Sequence, residues 1–219
     1  MCCRALMRIG DSVSGCDCMS IIRLPWEKRD YSGALDSGLV YYLLRTYGNK
    51  DVLDQFPGGG VIKTVCNQVG LSYTSTNFPT EDARKLDKDD QSFNTILSHI
   101  PYWNAKKYTD HPNDLSNCET YDEFITEVYK SIKESVRVLI PLGYLIFITG
   151  DYRKDKKFYP IHSHVLQHVE QNHKNLELKD IVFWELTATS TPFLSTKVMI
   201  QINYCLIWQK MGHDLTEVF

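Results

Sequence analysis

A chain of 219 residues with 43% hydrophobic and 23% charged content has the size and composition of one globular domain with a full core. Its net charge of −3 excludes a protein that binds polyanions through bulk charge, so any nucleic-acid contact has to come from a local basic surface. No apolar run reaches the roughly 20 residues of a membrane-spanning helix; the longest, Val138 to Ile148, is interrupted by Pro141 and Gly143.

Residues 1–20 read as a loosely packed tail ahead of a domain over 21–219. The tail carries Cys2, Cys3, Cys16 and Cys18 of the seven cysteines. An odd count and the lack of a secretory leader fit reduced thiols in an intracellular protein of the cytoplasm or nucleoid. The cysteine spacing matches no common zinc pattern, and no metal is expected.

Ile21 to Asp30 has no clear period. Apolar residues at 35, 39, 40, 43 and 44 then predict a helix over 35–47 with Gly48 as its stop. Asp51 to Phe56 reads as a short strand, Pro57-Gly58-Gly59-Gly60 as a turn, Val61 to Val69 as a helix ending at Gly70, and Leu71 to Ser75 as a second strand. That order is a βαβ unit, which implies a parallel sheet with right-handed crossovers. Glycines in such a turn let the backbone approach a ligand closely, and the next helix turns its N–H groups toward it.

Phe93 to Leu97 supplies a further strand and delivers Ser98-His99-Ile100-Pro101-Tyr102-Trp103-Asn104 to the sheet's C-terminal edge, where open α/β sheets bind ligands. A proline, two aromatics and a polar loop in succession suit a pocket for a flat, polar ligand such as a nucleobase. The loop from Asn104 to Cys118 is long for a simple connection. Thr120 to Leu139 is the clearest helix, with Thr120 and Glu123 as a capping box, one apolar stripe read as core, and Pro141 as its end. Gly143 to Thr149 reads as a buried strand followed by Gly150-Asp151-Tyr152-Arg153-Lys154. His162 to His173 reads as a helix whose His164 and His168 lie one turn apart without a third ligand, which favours a solvated face over a metal site. Leu178 to Trp184 and Tyr204 to Lys210 read as two late strands joined by a Thr- and Ser-rich segment. Three basic clusters, Arg84 and Lys85, Lys106 and Lys107, and Arg153, Lys154, Lys156 and Lys157, follow predicted strands at one sheet edge and would form a phosphate-binding rim.

In motif order, over roughly residues 30 to 210, the chain resembles the amino-methylating DNA methyltransferases, the adenine-N6 and cytosine-N4 types. Their signature is Asp, Asn or Ser, then Pro-Pro, then an aromatic; here His99-Ile100-Pro101-Tyr102 keeps its second half. The resemblance implies an α/β, doubly wound, mostly parallel seven-stranded sheet of the class I methyltransferase type with a late antiparallel strand. It implies S-adenosylmethionine as cofactor and DNA as partner. No separate target-recognition domain fits, so sequence specificity would come from loops or from a second protein chain, or be low. Asp54, Phe56, Gly58 and Gly60 fall on the family's cofactor motif, with Gln55 where proline is usual. Asn77 stands at the position of the acid that binds the cofactor ribose. Asp82 stands where an acid accepts from the adenine amino group, its alternative reading being an acid at a helix start.

For catalysis the resemblance assigns the Ile100 carbonyl and the His99 side chain to accept from the amino protons. Pro101 holds Ile100 extended, and Tyr102 stacks on a base turned out of the duplex. Lys106, Lys107, Arg153 and Lys154 would contact the nucleic acid. Only a neutral imidazole accepts a hydrogen bond, so activity is expected to fade below a pKa of ~6.5. The departures at His99, Ile100 and Asn77, with Leu142 where the family prefers glycine, support a second reading: a catalytically impaired relative that binds nucleic acid or a partner chain.

Overall fold

The computed structural model describes residues 21–22, 35–185 and 202–212; the expected tail and most of the joint between the two late strands lie outside them. In chain order the elements are β1 (Ile21–Ile22), α1 (Ser37–Thr46), β2 (Asp51–Asp54), α2 (Val61–Val69), β3 (Ser72–Ser75), β4 (Phe93–His99), α3 (Tyr121–Val138), β5 (Leu139–Gly150), β6 (Tyr152–Lys154), β7 (Lys157–Tyr159), α4 (Ile161–Asn172), β8 (Leu176–Glu185) and β9 (Ile202–Lys210).

Local chemistry fixes most of the boundaries. The Asp36 carboxylate accepts from the Gly38 and Leu39 N–H groups and so starts α1. Gly60 and Gly70 bracket α2 with φ of 75° and 76°, the left-handed region that glycine enters without a Cβ penalty. Thr120 caps α3 by accepting from Glu123 N–H, but the Glu123 carboxylate reaches back to the N–H of Glu119, one residue beyond the usual partner.

The main sheet runs in the order β1-β8-β9-β5-β4-β2-β3, and β6 and β7 form a separate hairpin. β2 is parallel to β3 and to β4, β4 to β5, and β1 to β8, while β9 lies antiparallel to both β5 and β8. Consecutive residues point to opposite faces of a strand, and both faces here are apolar. Val52, Leu97, Ile146, Ile148 and Ile207 pack with α1 and α2, whereas Leu53, Ile96, Leu145, Phe147 and Trp208 pack with α3 and α4. The result is a doubly wound α/β/α sandwich, mostly parallel with one antiparallel strand near its end: the class I methyltransferase type of Rossmann-like fold.

Three elements depart from the sequence reading. The seventh strand is Ile21–Ile22, from a stretch without apolar period, set parallel against Phe183 and Trp184 of β8. α3 ends at Val138, within a residue of the expected Leu139, but β5 begins at once, at Leu139 rather than at Gly143. Pairing of β4 with β5 shifts register after Phe93–Leu139, so that 140–143 bulge out with Pro141 and Leu142 exposed and Leu142 at φ 64°. Charged residues 152–159 form the β6–β7 hairpin around Asp155 and Lys156, both at positive φ, the geometry of a two-residue turn.

Cys66, Cys118 and Cys205 are free thiols; the four cysteines of the tail lie outside the described residues. His164 is engaged by the Tyr121 hydroxyl at 2.8 Å and His168 stacks on Tyr129, so both face α3. Among the described residues no three metal-ligating groups gather, and no helix is long and apolar enough to cross a membrane.

Candidate active site

A cleft of about 370 Å³ opens at the C-terminal ends of β2, β3 and β4. Its floor is the turn after β2, its near wall the segment after β3, and its far wall the end of β4 with the loop that follows. Sequence-predicted residues that line it are Phe56, Gly58, Asn77, Asp82, His99 and Pro101. Asp54, Gly60, Ile100 and Tyr102 are not on its lining, although each is next in the chain to a residue that is.

Asp54 sits beneath the turn, fully buried, with its carboxylate accepting from the Phe56 N–H at 3.0 Å and the Tyr73 hydroxyl at 3.2 Å. Burial raises its pKa to about 7, against the lowering pull of those two donors. Gln55, read from sequence only as a departure from the family pattern, is buried and satisfied at every polar atom. Its amide donates to the carbonyls of Ala83 and Ser131 and accepts from Ser135 Oγ at 2.7 Å, its N–H donates to Ser98 Oγ, and its carbonyl accepts from Thr76 Oγ1. One residue thus ties the cleft floor to α3 and the near wall through its side chain and to β4 through its backbone. Gly58 has a φ of 45° and Gly60 opens α2, so the turn exposes backbone to the cleft and the helix N-terminus lies directly behind it.

On the near wall, Asp82 begins no helix; it lies in a tight turn bridged to Lys85. Arg84 Nε and a terminal nitrogen grip its carboxylate, and the same guanidinium reaches Glu127 of α3 at 2.6 Å and the carbonyl of Asn113 on the far wall at 2.9 Å. Burial works against the Asp82 charge, but the Arg84 hydrogen bonds outweigh it and hold the pKa below the ordinary carboxylate value. Asp82 is therefore a charged acceptor presented to the cleft. The Arg84 charge is spent inside the fold, not at a phosphate rim.

The far wall is built by the loop after β4. Asp114 accepts four hydrogen bonds, from Ser116 N–H and Oγ and from Thr109 N–H and Oγ1, which fold the loop back on itself. Tyr108, Thr109, Asn113 and Leu115 face the cleft as a consequence, and Phe78 meets His111 edge-to-face across its mouth at 5.2 Å. The resemblance to the amino-methylating enzymes extends in sequence to Tyr108, Asp110, Asn113 and Asp114, of which Asp110 is not on the lining; Thr76, Phe78, Thr109 and Leu115 carry no signal that a single chain could supply.

His99 closes β4, two residues beyond the predicted end of that strand. Burial lowers its pKa to about 4, so the ring stays neutral well below the pH at which a free imidazole charges. The expected fading of activity moves from ~6.5 to about 4 accordingly. Its Nε2 shares a hydrogen bond of 2.7 Å with the Tyr102 hydroxyl, and the two rings meet edge-to-face. Tyr102 is thereby turned toward Gly150, where a side chain on that glycine would meet its ring at 3.1 Å. Trp103 follows at φ 46°, a conformation rare for an aromatic residue, buried and bonded through Nε1 to the Cys118 carbonyl. Of the predicted nucleic-acid residues, Lys107 pairs with Asp110, while Arg153 and Lys154 lie on β6.

Among the described residues that line the cleft, the charged side chains are the carboxylates Asp82 and Asp114, with no lysine or arginine. A cavity of that character suits a cationic ligand with a polar ring system better than an anionic phosphate ester.

No family model matches the chain, and no curated protein does. Among solved structures it is similar to a candidate DNA modification methylase from Thermus thermophilus, complexed with S-adenosyl-L-methionine. The identity is 18%, over 77% of this chain and 59% of that one, with a TM-score of 0.46. It is also similar to a SAM-dependent methyltransferase from Archaeoglobus fulgidus, at 12% identity over 80% and 95% of the two chains and a TM-score of 0.49. A candidate methyltransferase from Bacillus halodurans follows at 14% identity, 80% and 99% coverage and a TM-score of 0.46. The chain spans less than two thirds of the length of the Thermus methylase. Its fold class rests on its own strand order and register.

Proposed function

We propose that this chain transfers a methyl group from S-adenosylmethionine to an exocyclic amino nitrogen of adenine or cytosine in DNA. The observation that carries the reading is the cleft itself: the glycine turn after β2, and His99 and Pro101 at the end of β4, line one cavity at neighbouring strand ends.

The lining fits the cofactor. Gly58 leaves room for close backbone approach, the Asn77 amide offers an acceptor to a ribose hydroxyl, and Asp82 offers one to an adenine amino group. The carboxylates Asp82 and Asp114, with no cationic side chain among the described lining residues, suit a sulfonium. When bound, S-adenosylmethionine supplies an electrophilic methyl on a positively charged sulfur. The chain's own part is to prepare the nitrogen. Its lone pair is delocalised into the base, and acceptors at the Ile100 carbonyl and at His99 would draw the amino protons out of the ring plane and free it. Proline at 101 keeps Ile100 extended, and Ile100 N–H is fixed to the Ile148 carbonyl at 2.9 Å, so the acceptor is held by β5. A neutral His99 neither repels the sulfonium nor loses its acceptor role above about pH 4.

A specific observation favours a second reading, an impaired relative that binds nucleic acid or a partner without turnover. The Tyr102 hydroxyl occupies one His99 nitrogen, and Tyr102 lies off the lining. The two readings separate when the protein is titrated with S-adenosylmethionine in a calorimeter and then presented with DNA, RNA and protein substrates and methyl-labelled cofactor. Cofactor binding with label entering DNA alone is the expected result. DNA binding without detectable cofactor binding would select the second reading, and label in RNA or protein would move the substrate class.

A further inference from the structure

β6 and β7 pair Tyr152 with Tyr159, Arg153 with Phe158 and Lys154 with Lys157, and directly opposite residues share a face. One face is therefore Tyr152, Tyr159, Lys154 and Lys157; its tyrosines and Lys154 are turned inward, while Lys157 is exposed. Trp103 meets Tyr159 at 5.2 Å and Tyr152 at 6.3 Å, and Lys154 Nζ lies 5.3 Å above the Trp103 ring. These contacts bolt the hairpin to the turn immediately after Tyr102. The other face is Arg153 and Phe158, both exposed, with the guanidinium 5.3 Å from the ring centroid and 42% of Phe158 open to solvent.

The apolar anchoring of the hairpin is done by the opposite face, where Tyr152 and Tyr159 meet Trp103. Isolated exposed aromatics are ordinary on protein surfaces, but Phe158 stands among four cations and a single acid within residues 152–159, in a chain whose net charge is −3. Among the described residues none of Arg153, Lys154, Lys156 and Lys157 makes an ion pair, in contrast to Arg84 and Lys107. An open ring beside cations not spent on carboxylates is what a polyanion with exposed flat bases would dock on.

We propose that the outer face of this hairpin binds an unpaired stretch of nucleic-acid strand, stacking one base on Phe158 while Arg153 and, at the turn, Lys156 contact flanking phosphates. The inference rests on the proposed function only in taking nucleic acid as the substrate. It adds that the strand is held open beside the cleft, since duplex bases keep their faces stacked and unavailable to the ring.

The test uses the full chain and fluorescence anisotropy with a labelled oligothymidine, a duplex of equal length, and phosphatidylserine vesicles. Phe158→Ala should weaken single-strand binding roughly 5- to 150-fold and leave duplex binding unchanged, and Phe158→Tyr should restore it. Arg153→Ala should weaken both nucleic acids and lower the salt slope by about one. Equal single-strand affinity for the wild type and Phe158→Ala would overturn the proposal, as would Phe158-dependent binding to vesicles with none to the oligonucleotide. Calorimetry with S-adenosylmethionine on the same samples keeps the two claims apart. Cofactor binding without a Phe158 effect defeats the hairpin inference alone, and a Phe158 effect without cofactor binding defeats the methyltransferase reading alone.

Discussion

Gln55 stands where the resembling family carries proline, and its amide does work that a proline ring could not do. Gln55→Leu would take the amide donor from the Ala83 carbonyl, while Ser135 Oγ and the Ser131 carbonyl keep their bond to each other at 2.9 Å; a buried group orphaned in this way costs about 1–3 kcal/mol. Chemical denaturation should therefore report a loss of about 1–3 kcal/mol, and no loss would mean that the network carries little. Asp54 and His99 make a second case at this scale. Folded, Asp54 keeps its proton up to about pH 7, and His99 stays without one down to about pH 4. Unfolded, they titrate at ~3.9 and ~6.5. The raised carboxyl makes stability fall as pH rises from about 4 to about 7, and the lowered imidazole makes it rise from about 4 to about 6.5. The two oppose each other over one window. Asp54→Asn should leave stability climbing with pH relative to the wild type, and His99→Asn should leave it declining. Parallel pH profiles for all three proteins would contradict the assignment. His99→Asp restores the family's acceptor at this position and should raise methyl transfer about tenfold or more; unchanged background activity would place the obstacle elsewhere in the pocket.

At the scale of elements, legibility followed the strength of local chemistry. α2 was readable to the residue, because Gly60 and Gly70 punctuate it and nothing tertiary competes. The long stripe of α3 was equally plain, whereas the expected first helix began at Leu35 and passed over the Asp36 cap that starts α1 at Ser37. The β6–β7 hairpin was not, because lysines and an arginine conceal its alternation and its turn lacks the usual Asn-Gly pair; only Trp103, distant in sequence, explains why residues 152–159 pair at all. Pro141 misled for a related reason: a bulge lets a strand carry the proline that a helix would stop for. Within the glycine turn, φ 45° at Gly58 is strained for any β-branched residue. Gly58→Val should abolish cofactor binding by calorimetry while the denaturation midpoint shifts only modestly, and normal binding would refute the turn's role. In the hairpin, Lys156→Gly suits a φ of 64° and should raise stability by about 0.5–1 kcal/mol, read as a higher melting midpoint.

For the whole molecule, the sheet order could be anticipated from motif order, but the cleft could not. Much of its lining comes from a loop whose fold depends on Asp114 and on the reach of Arg84 between both walls, neither of which has a periodic signature. The seventh strand shows the same limit, since two residues against β8 are defined by their partner alone. What the assembled molecule does provide is proximity: the glycine turn after β2 and the His99 and Pro101 positions at the end of β4 belong to adjacent parallel strands and line one cleft. Mass spectrometry of nucleosides from DNA incubated with the protein and trideuteromethyl-labelled cofactor tests that proximity most directly. The account predicts labelled N6-methyladenine or N4-methylcytosine that disappears with Gly58→Val. Cofactor bound in the cleft with every nucleoside left unlabelled would contradict it.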